Sequence, residues 1–100
     1  MPTEVFRYEF KSDVNFAEIE SSLVLSIMAA ESLHGASEVR LDAAHALDEE
    51  KRVCVLDAST AVGRDLNRLF VGFIGREFGE DAFKVERLNE PPNAPATQSC

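Results

Sequence analysis

The chain has 100 residues, 45% of them hydrophobic and 28% charged, and its 18 acidic and 10 basic residues give a formal net charge of -8. This length fits one small domain, and the composition excludes a disordered or fibrous protein. The negative field repels phosphate backbones and anionic lipid surfaces, so nucleic acid is disfavoured as a partner and no membrane association is predicted.

The cysteines and the first residues indicate the compartment. Cys54 lies in an apolar run and Cys100 is the last residue, which is not the pattern of a disulfide framework. The segment MPTEVFRYEF lacks the basic and apolar regions of a secretory signal, and no apolar run reaches membrane-span length. We therefore predict a cytoplasmic protein.

The first predicted elements are a strand and a helix. The segment EVFRYEF alternates in polarity, which predicts a half-buried strand. Apolar residues then recur at helical spacing from Phe16 to Leu33. Asn15 begins this helix with a capping-box pattern, and Gly35 ends it.

A β-hairpin is predicted next. The segment SEVRLDAAH alternates in polarity, as a second strand would, and ALDEEK supplies a charged turn. The segment RVCVLDA is short, apolar and β-branched, which favours a central third strand.

A second helix, a fourth strand and a tail complete the chain. Ser59 or Thr60 caps the helix, and Gly79 ends it. The segment AFKVERL alternates and predicts the fourth strand. The tail NEPPNAPATQSC has three prolines and no large apolar residue, so we predict a flexible extension. The apolar face of the helix is predicted to comprise Val62, Leu66, Leu69 and Phe73.

This β-α-β-β-α-β order resembles the ferredoxin-like α+β sandwich, in which two helices cover one face of a four-stranded antiparallel sheet. We predict a single α+β domain over residues 1–88 and the Pro-containing tail over residues 89–100. Because this architecture hosts many unrelated functions, it says little about activity by itself.

Alternation assigns residues to the two faces of the predicted sheet. The open face is then either a solvated surface of ion pairs or a polar partner surface, whose interface residues would include Arg7, Arg40 and Arg52. Apolar packing of sheet on sheet is disfavoured by the buried charges it would require. The face under the helices is predicted to carry Phe6, Tyr8, Phe10, Val39, Leu41, Ala43, Val53, Val55, Phe83 and Val85. The open face is predicted to carry Arg7, Glu9, Glu38, Arg40, Asp42, Arg52, Lys84 and Glu86.

The second helix contains three glycines, each of which costs about 1 kcal/mol relative to alanine. Gly72 and Gly75 share one sector, so helix one or a second subunit can approach there closely. Apolar residues outside the main stripe serve either helix packing or a partner interface. In the second helix these are Phe70, Val71, Ile74 and Phe78, and in the first Val24, Leu25 and Met28.

The start of the second helix is a candidate anion site. Free N–H groups and the helix dipole attract a phosphate or carboxylate there, although Ser or Thr at this position also serves as a simple cap. The surrounding sequence has no Gly-rich phosphate loop. The candidate residues are Ser59, Thr60, Gly63, Arg64 and Arg68.

Catalytic and metal sites have weaker support. His34 suits the end of the first helix, where the dipole favours a partly charged imidazole. His45, Cys54 and Asp57 show no metal-ligand spacing, and a Cys54–His45 pair requires a suitable hairpin register. We predict no metal, no cofactor and no catalytic residues.

The sequence therefore favours a non-catalytic binding or assembly module, either a homodimer or a subunit that depends on a protein partner. The alternative is a regulatory domain that binds a small anion or nucleotide at the start of the second helix. A small enzyme is the third hypothesis.

Overall fold

The computed structural model describes residues 4–88, and the predicted tail at residues 89–100 lies outside this range. In chain order the elements are β1 (Val5–Phe10), α1 (Phe16–His34), α2 (Ala36–Asp42), β2 (Ala44–Asp48), β3 (Val53–Asp57), α3 (Ala61–Phe78), a 3₁₀ turn (Glu80–Ala82) and β4 (Phe83–Leu88).

The four strands form one antiparallel sheet in the order β2-β3-β1-β4. This confirms the predicted α+β class and the four-stranded antiparallel sheet. The caps of the long helices are also as predicted. The Asn15 side chain accepts a hydrogen bond from Ala17 N, the Thr60 side chain accepts one from Gly63 N, and Gly35 and Gly79 end α1 and α3.

The prediction of a second strand over SEVRLDAAH is wrong, because most of this segment forms a third helix, α2. Three alternating pairs are too few to separate a strand from a short helix, and Ala, Glu, Arg and Leu are all good helix formers. Val39 is buried while Leu41 is 83% exposed. The actual β2 begins at Ala44, inside the region predicted as the strand end and turn.

The predicted facing of β3 is also wrong. Its register places Cys54 opposite Tyr8, and both Cys54 and Leu56 are completely buried in the core under the helices. Val53 and Val55 therefore point to the open face. Four consecutive apolar residues carry no alternation, so only pairing with β1 decides which of them face the helices.

The buried face of α3 is rotated from the predicted one. Phe70 and Ile74 are completely buried, whereas Leu69 and Phe73 are half-buried. The two pairs are adjacent in sequence, and a wide apolar arc does not fix which member faces the sheet. Ile74 is thus a core residue and not the interface residue that the sequence predicted.

Two polar contacts connect the helices to the rest of the fold. The Tyr8 hydroxyl donates a hydrogen bond to Asn67 Oδ1, which connects β1 to α3. His34 Nε2 lies 2.7 Å from Asp65 Oδ2, so the end of α1 is level with the start of α3. The two long helices therefore pack side by side and run antiparallel.

Candidate functional site

The outward side of α1 carries large apolar side chains where a surface helix normally carries charged ones. At about 100° per residue, it lies opposite the buried stripe of Phe16, Ile19 and Leu23. We call it the α1 outer face: it comprises Ala17, Ser21, Val24, Leu25, Met28 and Ser32, all exposed and all uncharged.

Three large apolar side chains lie at the centre of the α1 outer face. Val24, Leu25 and Met28 are 54%, 55% and 57% exposed. A surface helix normally carries charged residues on the side opposite its buried stripe. α1 is instead apolar on both sides, which is the pattern of a helix that is covered on both sides.

The serines of this face add little polarity. The Ser21 hydroxyl donates to the carbonyl oxygen of Ala17 at 3.1 Å, and the Ser32 hydroxyl donates to that of Met28 at 3.2 Å. Because both hydroxyl groups already donate to the backbone of the helix, covering them leaves no hydrogen-bond donor without an acceptor. The face can therefore be buried at small polar cost.

The two long helices carry different charged residues, mainly acidic on α1 and mainly basic on the outward side of α3. α1 carries Glu18, Glu20 and Glu31 and no Lys or Arg. The outward side of α3, which we call the α3 outer face, comprises Ala61, Arg64, Asp65, Arg68, Val71, Gly72, Gly75 and Arg76, so that its arginines outnumber its single acidic residue. Among residues 4–88, the three glutamates form no salt bridge with these arginines, although the helices are neighbours.

Gly72 and Gly75 face open space. A β-carbon placed on either would meet no heavy atom within 4 Å among the described residues. The prediction that these glycines allow close approach therefore does not apply to helix one of the same chain. Close approach by a second chain stays a prediction.

The other predicted interface residues of α3 divide into two groups. Val71 is 36% exposed and lies on the α3 outer face. Ile74 is fully buried in the core, whereas Phe78 packs against the core cluster but is only partly buried. Contact of a partner with Val71 or Phe78 stays a prediction.

The three predicted interface arginines lie on different parts of the molecule. Arg7 lies on the open face of the sheet, and Arg40 is exposed on α2, not on a strand. Arg52 follows the β2–β3 turn with a positive φ of 58°. Its guanidinium donates two hydrogen bonds to the Lys11 carbonyl oxygen, at 2.9 and 3.1 Å, and one to the Val14 carbonyl. Arg52 therefore secures the loop before α1.

The open face of the sheet is less charged than predicted, because Glu38, Arg40 and Asp42 lie on α2. Ala46 and Val55 line a shallow depression of about 550 Å³ beside the hairpin turn on this face. The full set on this face is Val5, Arg7, Glu9, Ala44, Ala46, Asp48, Val53, Val55, Asp57, Lys84, Glu86 and Leu88.

Docking of a partner would bury less apolar surface on the open face of the sheet than on the α1 outer face. Val5 and Val53 are only 2% and 5% exposed within the single chain, so a partner would remove little further apolar surface there. Arg7 also lies among the strands, 3.3 Å from Glu9 and 4.0 Å from Glu86. A partner docking on this face would have to desolvate that ion-pair group.

The hydroxyls at the candidate anion site are already used by the chain. Ser59 Oγ accepts from Glu4 N at 2.9 Å, and Thr60 Oγ1 accepts from Gly63 N at 2.9 Å while donating to the Asp42 carbonyl at 2.9 Å. Anion binding by these residues stays a prediction.

The two arginines of the predicted anion site lie on the outward side of α3. Arg64 is exposed, and Arg68 Nη1 lies 3.9 Å from Asp65 Oδ1. The side chain of Arg68 is 78% exposed, so this contact leaves most of its guanidinium free for another partner.

The candidate catalytic residues do not form one site. Cys54 is fully buried, and burial raises the pKa of its thiol to about 12, so the nucleophilic thiolate is scarce at neutral pH. His45 pairs with Leu56, and Asp57 accepts from Ser59 N at 2.9 Å on the other face. No group of three or more His, Cys, Asp or Glu side chains in residues 4–88 is placed to hold a metal.

None of the helices within residues 4–88 has the length and apolar character to cross a bilayer. The chain matches no known family model, no curated protein and no solved structure. The functional interpretation therefore rests on geometry and chemistry alone.

The sequence alone indicated the excess apolar residues Val24, Leu25 and Met28, but not that Ala17, Ser21 and Ser32 complete an uncharged face. The absence of any charge in that sector was the available signal.

Proposed function

We propose that this protein is a non-catalytic assembly module that forms a homodimer through the α1 outer face. The observation that carries this proposal is that Val24, Leu25 and Met28 are each more than half exposed on a helix face without charge. An exposed apolar cluster of this kind marks a protein interaction site more often than a solvated surface.

Burial of these side chains supplies a driving force. Each large apolar side chain that moves from partial exposure into an interface contributes about 1 kcal/mol. In a two-fold dimer every contact occurs twice, so both copies of the face contribute. Helix packing suits this face because Ala17 and the serines are small enough for a second helix to approach.

We also propose that the fold is a ferredoxin-like sandwich enlarged by α2. The strand order β2-β3-β1-β4 supports this assignment, since each long helix then connects two strands that flank a third. In such a sandwich one layer is the sheet and the other is the helices. The α1 outer face then belongs to the free surface of the helical layer.

The test is the solution mass of the protein and of one variant. We expect the wild-type chain to have about twice its mass of 11.0 kDa in multi-angle light scattering. Met28→Arg should shift it to the monomer, because an unpaired charge buried in an apolar interface costs several kcal/mol. The same substitution should leave the circular dichroism spectrum unchanged, since Met28 is exposed in the single chain.

Ala46→Arg is the matched control, because Ala46 is an exposed apolar residue on the open face of the sheet. It adds the same charge and should leave the dimer intact. If Ala46→Arg gives monomers while Met28→Arg does not, the open face is the interface and this proposal is wrong. A wild-type chain that stays monomeric at all concentrations also contradicts it.

A further inference from the structure

We propose that the α1 outer face docks on the α3 outer face of a second copy of this chain, with the two-fold axis parallel to the helices. This arrangement rests on the proposed homodimer and specifies its geometry. Rotation about such an axis places α1 of each copy over α3 of the other, so the interface contains two identical α1–α3 contacts.

Charge complementarity selects this pairing. Apart from His34, the charged residues of α1 are the acidic Glu18, Glu20 and Glu31. The α3 outer face carries Arg64, Arg68 and Arg76 against one acidic residue, Asp65, which is already in contact with His34 of the same chain. Stacking α1 on α1 of the second copy brings like charges together, and stacking α3 on α3 does the same. Stacking α1 on α3 brings opposite charges together twice.

One distance shows which residues of α1 and α3 lie at the same height along the helix axes. His34 Nε2 lies 2.7 Å from Asp65 Oδ2, so His34 is level with Asp65 in the antiparallel pair. Each step toward the start of α1 matches one step toward the end of α3, since both helices rise equally per residue. Glu31 is therefore level with Arg68.

A two-fold axis parallel to the helices leaves these levels unchanged. Glu31, which flanks the α1 outer face on the side of α2, therefore lies level with Arg68 of the other copy, within reach of its long side chain. The Arg68 side chain is 78% exposed, and its contact with Asp65 is as long as 3.9 Å, so its guanidinium is able to reach a second carboxylate.

In the same register the apolar centre of α1 lies against the part of α3 that has no side chains at Gly72 and Gly75. Met28 is level with Val71, and Val24 is level with Gly75. A β-carbon at Gly72 or Gly75 would meet nothing within 4 Å in the single chain, so the branched side chain of Val24 has space beside Gly75. Glycines at such a contact allow the helix axes to approach to the short end of the usual 8–10 Å range.

Two charge-reversal variants test the arrangement. Glu31→Arg and Arg68→Glu each replace both intermolecular ion pairs by like charges, and each should raise the dimer dissociation constant by about tenfold or more. An equimolar mixture of the two variants should dimerise as tightly as the wild-type protein. In the mixed dimer, Arg at position 31 faces Glu at position 68 on one side, and the native pair forms on the other.

Sedimentation equilibrium at low ionic strength measures the four dissociation constants, those of the wild type, the two variants and their mixture. Glu50→Arg and Lys51→Glu are matched controls, because they make the same charge changes at exposed positions of the hairpin turn. They should leave the wild-type dissociation constant unchanged. The α1–α3 contact is established if the equimolar mixture recovers the wild-type dissociation constant and the control variants do not change it.

Two results overturn the arrangement and separate it from the proposed function. If the wild-type protein and both variants are equally strong dimers, the protein is a homodimer with a different interface. If the single variants are monomeric but their mixture stays monomeric too, Glu31 and Arg68 do not pair across the interface. A monomeric wild-type chain instead removes the homodimer itself.

Discussion

A β-carbon at Gly63 would lie 2.1 Å from the carbonyl oxygen of Asp57, so the first turn of α3 packs directly on the end of β3. No side chain fits between them without moving one of the two backbones. Gly63 N also donates to Thr60 Oγ1, the cap of the same helix. The glycine is therefore required by packing, unlike Gly72 and Gly75 farther along α3.

We expect Gly63→Ala to lower the free energy of unfolding by about 2–3 kcal/mol, because the added methyl group must displace the backbone of β3 or of α3. Gly72→Ala is the matched control in the same helix. It should raise the free energy of unfolding of the monomer by about 0.5–1 kcal/mol, since alanine favours the helix and meets nothing nearby. Urea denaturation at low protein concentration measures both. A Gly63→Ala variant as stable as the wild type contradicts the close contact.

Arg52→Ala should lower the free energy of unfolding by about 1–2 kcal/mol without changing the solution mass. The substitution removes the hydrogen bonds to the carbonyl oxygens of Lys11 and Val14 and leaves the loop before α1 unsupported. Lys51→Ala, at the exposed neighbouring position, should change stability by less than about 0.5 kcal/mol. Denaturation curves and light scattering together separate this structural role from an interface role, in which the mass would fall.

Stability should decline above about pH 9. Burial raises the pKa of the Cys54 thiol from 9.0 to about 12, and it also raises that of the Tyr8 hydroxyl. Both groups keep their protons in the folded chain at pH values where the unfolded chain has released them. Unfolding is then favoured by rising pH, by about 1.4 kcal/mol per pH unit for each group.

Cys54→Val separates the two contributions to this alkaline decline. It should delay the onset to about pH 10, where the unfolded tyrosine begins to ionise. Urea denaturation between pH 7 and pH 11 measures the profile of each protein. Identical profiles for the variant and the wild type would show that Cys54 does not keep its proton in the folded chain.

Titration with inorganic phosphate tests the start of α3. We expect the amide resonances from Ser59 to Arg64 to stay in place, because Ser59 N already donates to Asp57 Oδ1 and Gly63 N to Thr60 Oγ1. The Asp57 carboxylate would also repel the anion. Saturable shifts that Arg64→Ala weakens would instead establish the anion-binding function.

The long helices and their ends are encoded in local sequence patterns. Asn15, Gly35, Thr60 and Gly79 act through the backbone of their own turn, so their effect does not depend on the rest of the fold. The alternation in β1 and β4 was equally local. These elements lie where the sequence placed them.

The buried side of the ambiguous segments depends on contacts between elements that are distant in sequence. The run Val53–Leu56 has no polar residue to mark a face, and pairing with β1 turned Cys54 and Leu56 inward. Contact with the sheet buried Phe70 and Ile74 of α3 instead of their neighbours. α1 carries large apolar residues on two sides, and packing against the sheet and α3 decided which of them remained on its outer face. Local patterns set the elements, but the orientation of a uniformly apolar segment depends on contacts distant in sequence.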